Sequence, residues 1–321
     1  MRGEILALLR QSDHVSGEDI AARLKISRAA VWKHVKALRE KGYRIDSAPG
    51  YGYTMISSTA DVVPEEITAG LNTLVIGKSV LCYKEVTSTQ DVADKLARGN
   101  SPEGTIVIAR SQVKGRGRKG RPWVSENDGI YISIILRPAL KPVHVVQVPM
   151  VVGVALSRAI AATTSLNPGI KWPNDILIRG KKVAGILTEM NSELDKVKYI
   201  IPGIGINVNN RASDLPEEVR PIATTLRDEC GREVVVVHLV RSFLQEFDRW
   251  YDIFLKQGFQ PIASEWKKLN NTLGSRVKVY DGEIEIYGRA VDIDEEGFLL
   301  LQSDAGQTIR ILSGDVSLRT Q

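Results

Sequence analysis

The sequence predicts an α+β protein built in three parts, and three changes of pattern along its 321 residues predict it. Residues 1–60 read as short amphipathic helices followed by a hairpin. Residues 64–270 mix longer apolar strands with helices, and residues 271–321 alternate short strands with glycine-marked turns. Composition is ordinary for a globular chain, 43% hydrophobic and 25% charged, with length for two or three domains.

The first part has the grammar of a winged helix-turn-helix. Ile5, Leu6, Leu8 and Leu9 form the apolar face of a first helix. Ser16-Gly17-Glu18-Asp19 opens a second helix carrying Ile20, Ala21 and Leu24. Lys25-Ile26 turns the chain, and Ser27 caps a third helix, Arg28 to Lys41, whose Val31, Val35 and Leu38 recur on one face. Tyr43-Arg44-Ile45 and Tyr51 to Met55 flank Ser47-Ala48-Pro49-Gly50 as a hairpin wing. This stretch holds ten Lys and Arg against six Asp and Glu, whereas the rest nearly balances, 33 against 32. Candidate DNA contacts are therefore Ser27, Arg28, Lys33, His34 and Lys36, since cations on a helix that fits the major groove neutralise phosphates. A protein-binding winged helix or a solvated cationic face would share this pattern.

After the polar linker Ser57-Ser58-Thr59-Ala60-Asp61, strands are expected at Thr105–Ala109, Ile130–Leu136, Ile176–Ile178, Ile186–Met190 and Val197–Ile206. Helices are expected at Ser88–Arg98, about Pro149–Thr164 and His238–Lys256. Turns such as Arg179-Gly180-Lys181 are too short for helical crossovers, so the sheet should be antiparallel or mixed. From Asn271 the strands Arg276–Tyr280, Glu283–Tyr287, Ala290–Ile293, Phe298–Leu301 and Thr308–Ile311 read as a small barrel, with Asp281-Gly282 as a hairpin turn. Cys82 and Cys230 have no C-x-x-C or His neighbour, which excludes a disulfide framework or zinc site and reads as core cysteines in a reducing cytoplasm. The longest apolar tract, Val145 to Leu156, is interrupted by Gln147 and Pro149, and no membrane partner is expected.

Two stretches carry chemistry. Lys114-Gly115-Arg116-Gly117-Arg118-Lys119-Gly120-Arg121 sets five cations among three glycines, with no acid between Glu103 and Glu126. Such a loop suits an anionic ligand. Gly115, Gly117 and Gly120 spell G-x-G-x-x-G, but Arg121-Pro122-Trp123 and then a strand follow where a dinucleotide site needs a helix. A Walker loop fails because Arg121-Pro122 stands where Lys and Ser or Thr belong. A solvated basic loop stays open on these letters. The second stretch, Lys171-Trp172-Pro173-Asn174-Asp175, puts a cation, an amide and a carboxylate beside a rigid corner at a strand entrance.

Taken in order, Ser88-Thr89-Gln90, Gln112 with Gly115-Arg116-Gly117-Arg118, Lys171 to Asp175, Gly180 to Ile186 and Gly203-Ile204-Gly205-Ile206-Asn207-Val208-Asn209 closely resemble the biotin protein ligase family. With the winged helix in front and the barrel behind, the chain resembles the bifunctional subgroup that also represses the biotin operon. The resemblance implies a central catalytic domain of the biotin/lipoyl ligase type and an SH3-like barrel. It implies that Ser88, Thr89, Gln90 and Gln112 hold the biotin head group, Gln90 standing where the family often has Asn. Arg116, Gly117, Arg118 and Lys182 would complete the biotin site; only the resemblance chooses Lys182 over Lys181. Gly115, Arg118, Arg121, Lys171, Asn174, Asp175 and Asn207 would bind ATP or the adenylate, Asn207 reading adenine, with Asp175 a candidate Mg²⁺ ligand and no structural metal. Residues 211–222 would form a second segment over the adenylate. Implied partners are the acceptor lysine of a biotin carboxyl-carrier protein, operator DNA and a second copy in a ligand-dependent homodimer. A lipoate or octanoate ligase of the same fold, or a biotin-sensing repressor without enzymatic activity, are the rival readings.

Overall fold

The computed structural model describes every residue except 13, 49, 50, 58–61, 194, 195, 282, 283, 313 and 319–321. Most of the expected linker, the Pro49-Gly50 tip of the wing and Gly282 of the barrel hairpin lie outside the described residues. The chain forms two compact units, Met1–Asn72 and Thr73–Gln321.

In the first unit, α1 (Arg2–Gln11), α2 (Gly17–Leu24) and α3 (Arg28–Glu40) precede the strands β1 (Arg44–Ala48) and β2 (Gly52–Ser57), which pair antiparallel. Both expected caps form: Ser16 Oγ accepts from Asp19 N at 3.0 Å and Ser27 Oγ from Ala30 N at 3.2 Å. Ile5, Leu6, Leu9, Ile20, Val31, Val35 and Leu38 make the core. A short helix α4 (Pro64–Thr68), in the stretch the sequence reading put with the catalytic domain, belongs to this unit. Ions tie it down. Glu65 pairs with Arg2 at 2.9 Å and Lys41 at 2.6 Å, and Glu66 pairs with Arg10 at 2.6 Å.

The second unit begins with β3 (Ser79–Val86), α5 (Thr89–Arg98), β4 (Thr105–Gln112) and β5 (Ile130–Ile134). There follow α6 (Val148–Thr164), β6 (Gly169–Lys171), β7 (Asp175–Ile178), β8 (Lys181–Glu193), β9 (Lys196–Ile206), α7 (Leu226–Cys230), α8 (Val236–Gln257) and α9 (Gln260–Leu269). The sheet is mixed, as expected, in the order β3-β4-β5-β9-β8-β7-β6; β3 and β4 run parallel across α5 and every other pairing is antiparallel. Between β7 and β8, Arg179 (φ 49°) and Gly180 (φ 78°) both sit in the left-handed region, the geometry of a two-residue hairpin turn. Helix α6 is buried along most of its length, so the segment Pro142–Thr164, apolar enough to span a bilayer, is a core helix. Helix α8 lies against it and stacks Phe243, Phe247 and Tyr251 at 5.8 Å centroid spacings.

The C-terminal strands β10 (Arg276–Asp281), β11 (Ile284–Ile293), β12 (Leu299–Gln302), β13 (Thr308–Ile311) and β14 (Asp315–Leu318) form an antiparallel sheet in the order β13-β12-β11-β10-β14. The two strands expected at Glu283–Tyr287 and Ala290–Ile293 are one, running through Gly288 and bulging between Ala290 and Asp292. Gly288 marks a close approach of β11 to β12, where a Cβ would lie 2.6 Å from the Gln302 carbonyl oxygen. Cys82 and Cys230 are half-buried rather than core residues and form no disulfide.

Candidate active site

Chain stretches far apart in sequence meet around one cavity of about 620 Å³ in the second unit. One end is polar. Ser88, Thr89 and Gln90 open α5 and are almost fully buried. The Thr89 amide donates to Gln112 Oε1 at 2.8 Å and Gln112 Nε2 donates to Ser125 Oγ at 3.0 Å, so Gln112 ties the start of α5 to the segment that follows the cationic loop. Gln90 Nε2 donates to the carbonyl of Ile201 at 3.1 Å, and its Oε1, buried beside Gly203, has no hydrogen-bond partner in the protein.

The floor of the cavity is made by glycines and one tryptophan. Gly185 on β8 and Gly205 on β9 are register partners. A Cβ on Gly205 would lie 2.5 Å from Trp123 Nε1, and one on Gly185 2.8 Å from the same indole. Only glycine lets the ring lie flat there. Its N–H is buried without a partner, and Lys182 Nζ stands 5.0 Å from the ring centroid.

The other end is charged. Lys182 Nζ is 2.6 Å from Asp175 Oδ1, and Lys171 Nζ is 3.8 Å from Asp175 Oδ2. Lys182 lines the cavity while Lys181, its neighbour on β8, is exposed, as alternate strand residues face opposite ways. Asn174 Nδ2 donates to the carbonyl of Ile186 at 2.8 Å, and Arg118 Nη1 donates to Asn174 Oδ1 at 3.3 Å and to the carbonyl of Gly314 at 3.1 Å. Among the described residues no group of three His, Cys, Asp or Glu could hold a metal ion. A magnesium ion here would therefore rely on phosphate oxygens and water with at most Asp175 from the protein, which is how this cation is usually held.

The cationic loop is a flap-shaped turn at the edge of the cavity. Gly117 N donates to the Arg121 carbonyl at 2.7 Å and Trp123 N to the Gly115 carbonyl at 2.9 Å, folding residues 115–123 back on themselves. Arg116, Gly117, Arg118 and Arg121 border the cavity. Two expected residues do not. Gly115 is a close-packing position, where a Cβ would lie 2.2 Å from Ser125 Oγ. Asn207 is buried off the cavity, its Nδ2 donating to the Thr224 carbonyl at 3.0 Å. The 211–222 segment brings Val219 and Ile222 to the cavity wall, and Lys182 N donates to the Ile222 carbonyl at 2.8 Å. Sequence reasoning missed Trp123, Leu187, Tyr280 and Val316 as lining residues; for Trp123 the signal was an aromatic two residues after the cationic run.

In the first unit, Ser27, Arg28, Lys33 and Lys36 are exposed, with Arg28 paired to Glu18 at 3.0 Å. His34 is half-buried, and burial first, then repulsion from Arg2, the N-terminus and Lys33, holds its pKa below the ordinary 6.5. The place on the outer ridge between Arg28 and Lys36 belongs instead to Trp32, 56% exposed, with Lys36 Nζ 5.6 Å from its ring.

Comparison with known proteins follows this layout. Residues 2–54 match the HTH domain family, 82–207 the Biotin/lipoate A/B protein ligase family and 272–319 the Biotin protein ligase C terminal domain. The bifunctional ligase/repressor BirA of Bacillus spizizenii is 39% identical over 321 residues, 99% of this chain and 98% of that protein. The bifunctional ligase/repressor BirA of Escherichia coli is 30% identical over 319 residues, 99% of this chain and 97% of that protein. A biotin protein ligase from Aquifex aeolicus, solved in complex with biotin and ATP, superposes with a TM-score of 0.66 at 34% identity, over 76% of this chain and 100% of that one.

Proposed function

The chain belongs to the bifunctional ligase/repressor family of biotin protein ligases, and from that premise we propose that it activates biotin with ATP and transfers it to a lysine of a biotin carboxyl-carrier protein. One observation supports this most: a buried polar recess and a cluster of cations line the same cavity. A neutral bicyclic head with a carboxylate tail would span the two.

In this reading the biotin ureido group enters beside Thr89, Gln90 and Gln112, and Gln90 Oε1, with no partner of its own, accepts a ring N–H. Trp123 lies along the ring system, and the tail points toward Lys182. A biotin carboxylate oxygen attacks the α-phosphorus of ATP, the bond to the bridging oxygen breaks, and pyrophosphate leaves. Arg118, Lys171 and Lys182 offset the repulsion between the two anions. Asp175 is the side chain that would help hold a magnesium ion, which would add charge neutralisation at the phosphates. The flap shields the mixed anhydride from water. A neutral acceptor amine then attacks the carbonyl, AMP departs and an amide remains. An amine with a reference pKa of about 10.4 must shed a proton first. Asp175, committed to Lys171 and Lys182, positions these cations rather than serving as a strong base.

The winged helix binds operator DNA, with the adenylate as corepressor of a homodimer that pairs two recognition helices on a two-fold site. A cytoplasmic setting fits both carrier protein and DNA. A lipoate or octanoate ligase is the second reading; the polar Thr89, Gln90 and Gln112 set favours a ureido ring over an acyl chain. Incubation with biotin, ATP, Mg²⁺ and a biotin carboxyl-carrier domain tests the transfer. Amide-linked biotin on one lysine, absent when that lysine is Arg, is expected; adenylate without transfer would leave a sensor.

A further inference from the structure

Arg116 stands between two glycines of the flap, and its side chain is held by two carboxylates. Its Nη1 donates to Asp91 Oδ1 at 2.6 Å, its Nε to Glu189 Oε1 at 3.1 Å and its Nη2 to Glu189 Oε2 at 3.2 Å. The fork is engaged side-on by one carboxylate and end-on by another, the geometry a planar guanidinium holds best. Asp91 lies one residue beyond Gln90 in the first turn of α5, and Glu189 lies two beyond Leu187 on β8. The three elements that this one side chain joins are therefore the flap, the helix start that lines the polar recess and the strand that forms its floor. At the opposite side, Arg118 and Lys119 reach the carbonyls of Gly314 and Tyr280 at 3.1 Å and 3.4 Å. The flap is fastened at its base by ions and at its tip by carbonyls.

We propose that the Arg116 side chain is the latch of the flap rather than a ligand contact, and that Asp91 and Glu189 are positioning residues that set how long the flap retains the adenylate. This rests on the ligase reading for its purpose, though not for its geometry. The distinction has a sign. If Arg116 served the ligand's anion, the two acids would compete with that ligand, and removing them would free the guanidinium to bind it more tightly. As a latch, Arg116 loses its hold when either acid is neutralised, and the ligand escapes sooner. Side-chain exposures of 33% for Arg116, 47% for Asp91 and 39% for Glu189 leave the pairs open to screening, so the latch should loosen in salt.

The test compares wild type with Asp91→Asn, Glu189→Gln, Arg116→Ala, Arg116→Lys and the exchange Arg116→Glu with Glu189→Arg, all in the full chain. Hydrogen exchange at the Gly117 and Trp123 amides, measured without ligand, reads the flap directly. Release of preformed biotinyl adenylate into an excess of unlabelled biotin and ATP reads its consequence. Faster amide exchange and about two- to fivefold faster release are expected for Asp91→Asn and Glu189→Gln. Arg116→Ala should be no worse than both acid changes together, Arg116→Lys should recover only part because an ammonium cannot engage two carboxylates as a fork does, and the charge exchange should restore part of the protection. Wild-type protection of these amides in the two acid variants, or slower release from them, would overturn the latch. A wild-type chain that forms no adenylate would instead overturn the ligase reading, while the exchange data would still decide the latch.

Discussion

The Lys182 ammonium stands 2.6 Å from Asp175 Oδ1 and 5.0 Å from the centre of the Trp123 ring, so one cation links the charged end of the cavity to its aromatic floor. Asp175→Asn removes the group that holds Lys182 and Lys171 in place, and both half-reactions should slow together, by about 10²-fold. Pyrophosphate exchange and single-turnover transfer measured side by side check this. Exchange that survives while transfer is abolished would make Asp175 the base of the second step.

Gly205→Ala should evict the Trp123 ring, since the new methyl would lie 2.5 Å from its Nε1. Overpacking of this kind costs about 1–3 kcal/mol, and because the ring lines the cavity the loss should reach biotin affinity as well as the melting temperature. Calorimetric titration with biotin reads it; unchanged affinity would remove Trp123 from the biotin site.

Gln90→Leu keeps the bulk of the side chain but deprives the Ile201 carbonyl of its donor and leaves the recess without the Gln90 acceptor. Unpaired buried polar groups cost about 1–3 kcal/mol. The expected result is a biotin KM raised about tenfold or more with a smaller change in the KM for ATP.

On the winged helix, Lys36→Ala should lower the slope of log affinity against log salt by about one, the signature of a lost phosphate contact. Trp32→Ala should leave that slope unchanged while narrowing the gap between operator and random duplex, because an exposed indole on the outer ridge offers apolar surface to base edges. His34→Ala should change neither at pH 7.5, since its lowered pKa keeps it neutral. Fluorescence anisotropy over a salt series distinguishes the three.

Burial would raise the pKa of Glu65, but hydrogen bonds from Lys41 and Arg2 outweigh it and hold the group below its ordinary value of 4.5. A carboxylate with a depressed folded pKa stabilises fully above its unfolded pKa, and that contribution fades as pH falls through the folded one. Protection of α1 and α4 amides should therefore decline below about pH 4.5 in wild type, and Glu65→Gln should be less stable at pH 7 with a flatter acid limb. Parallel acid limbs in the two proteins would exclude Glu65 as the cause.

The legible parts of the sequence were those where a local rule and the tertiary fold agree. Ser16 and Ser27 announced their helices because a cap is a short-range bond, and the cations at 114–121 announced a loop because no strand or helix core accepts five charges. The strand β3, SVLCYKEV, was missed because it sits at the edge of the sheet, half-exposed, with no need for an apolar run. Helix α4 was missed because five residues carry no periodicity and its place is set by ion pairs with residues 24 to 63 positions away. At the cavity, the motif letters could not tell which way side chains turn. Asn207 and Gly115 lie within motifs and off the cavity, while Trp123 reaches it only through glycines on two other strands.

The most direct test of the account is Mg²⁺-dependent ATP–pyrophosphate exchange run in parallel with biotin, lipoate, octanoate and no acid. Exchange with biotin alone is the predicted result. Exchange with lipoate or octanoate but not biotin would assign the polar recess to the wrong substrate, and exchange with none would contradict the catalytic reading of the cavity.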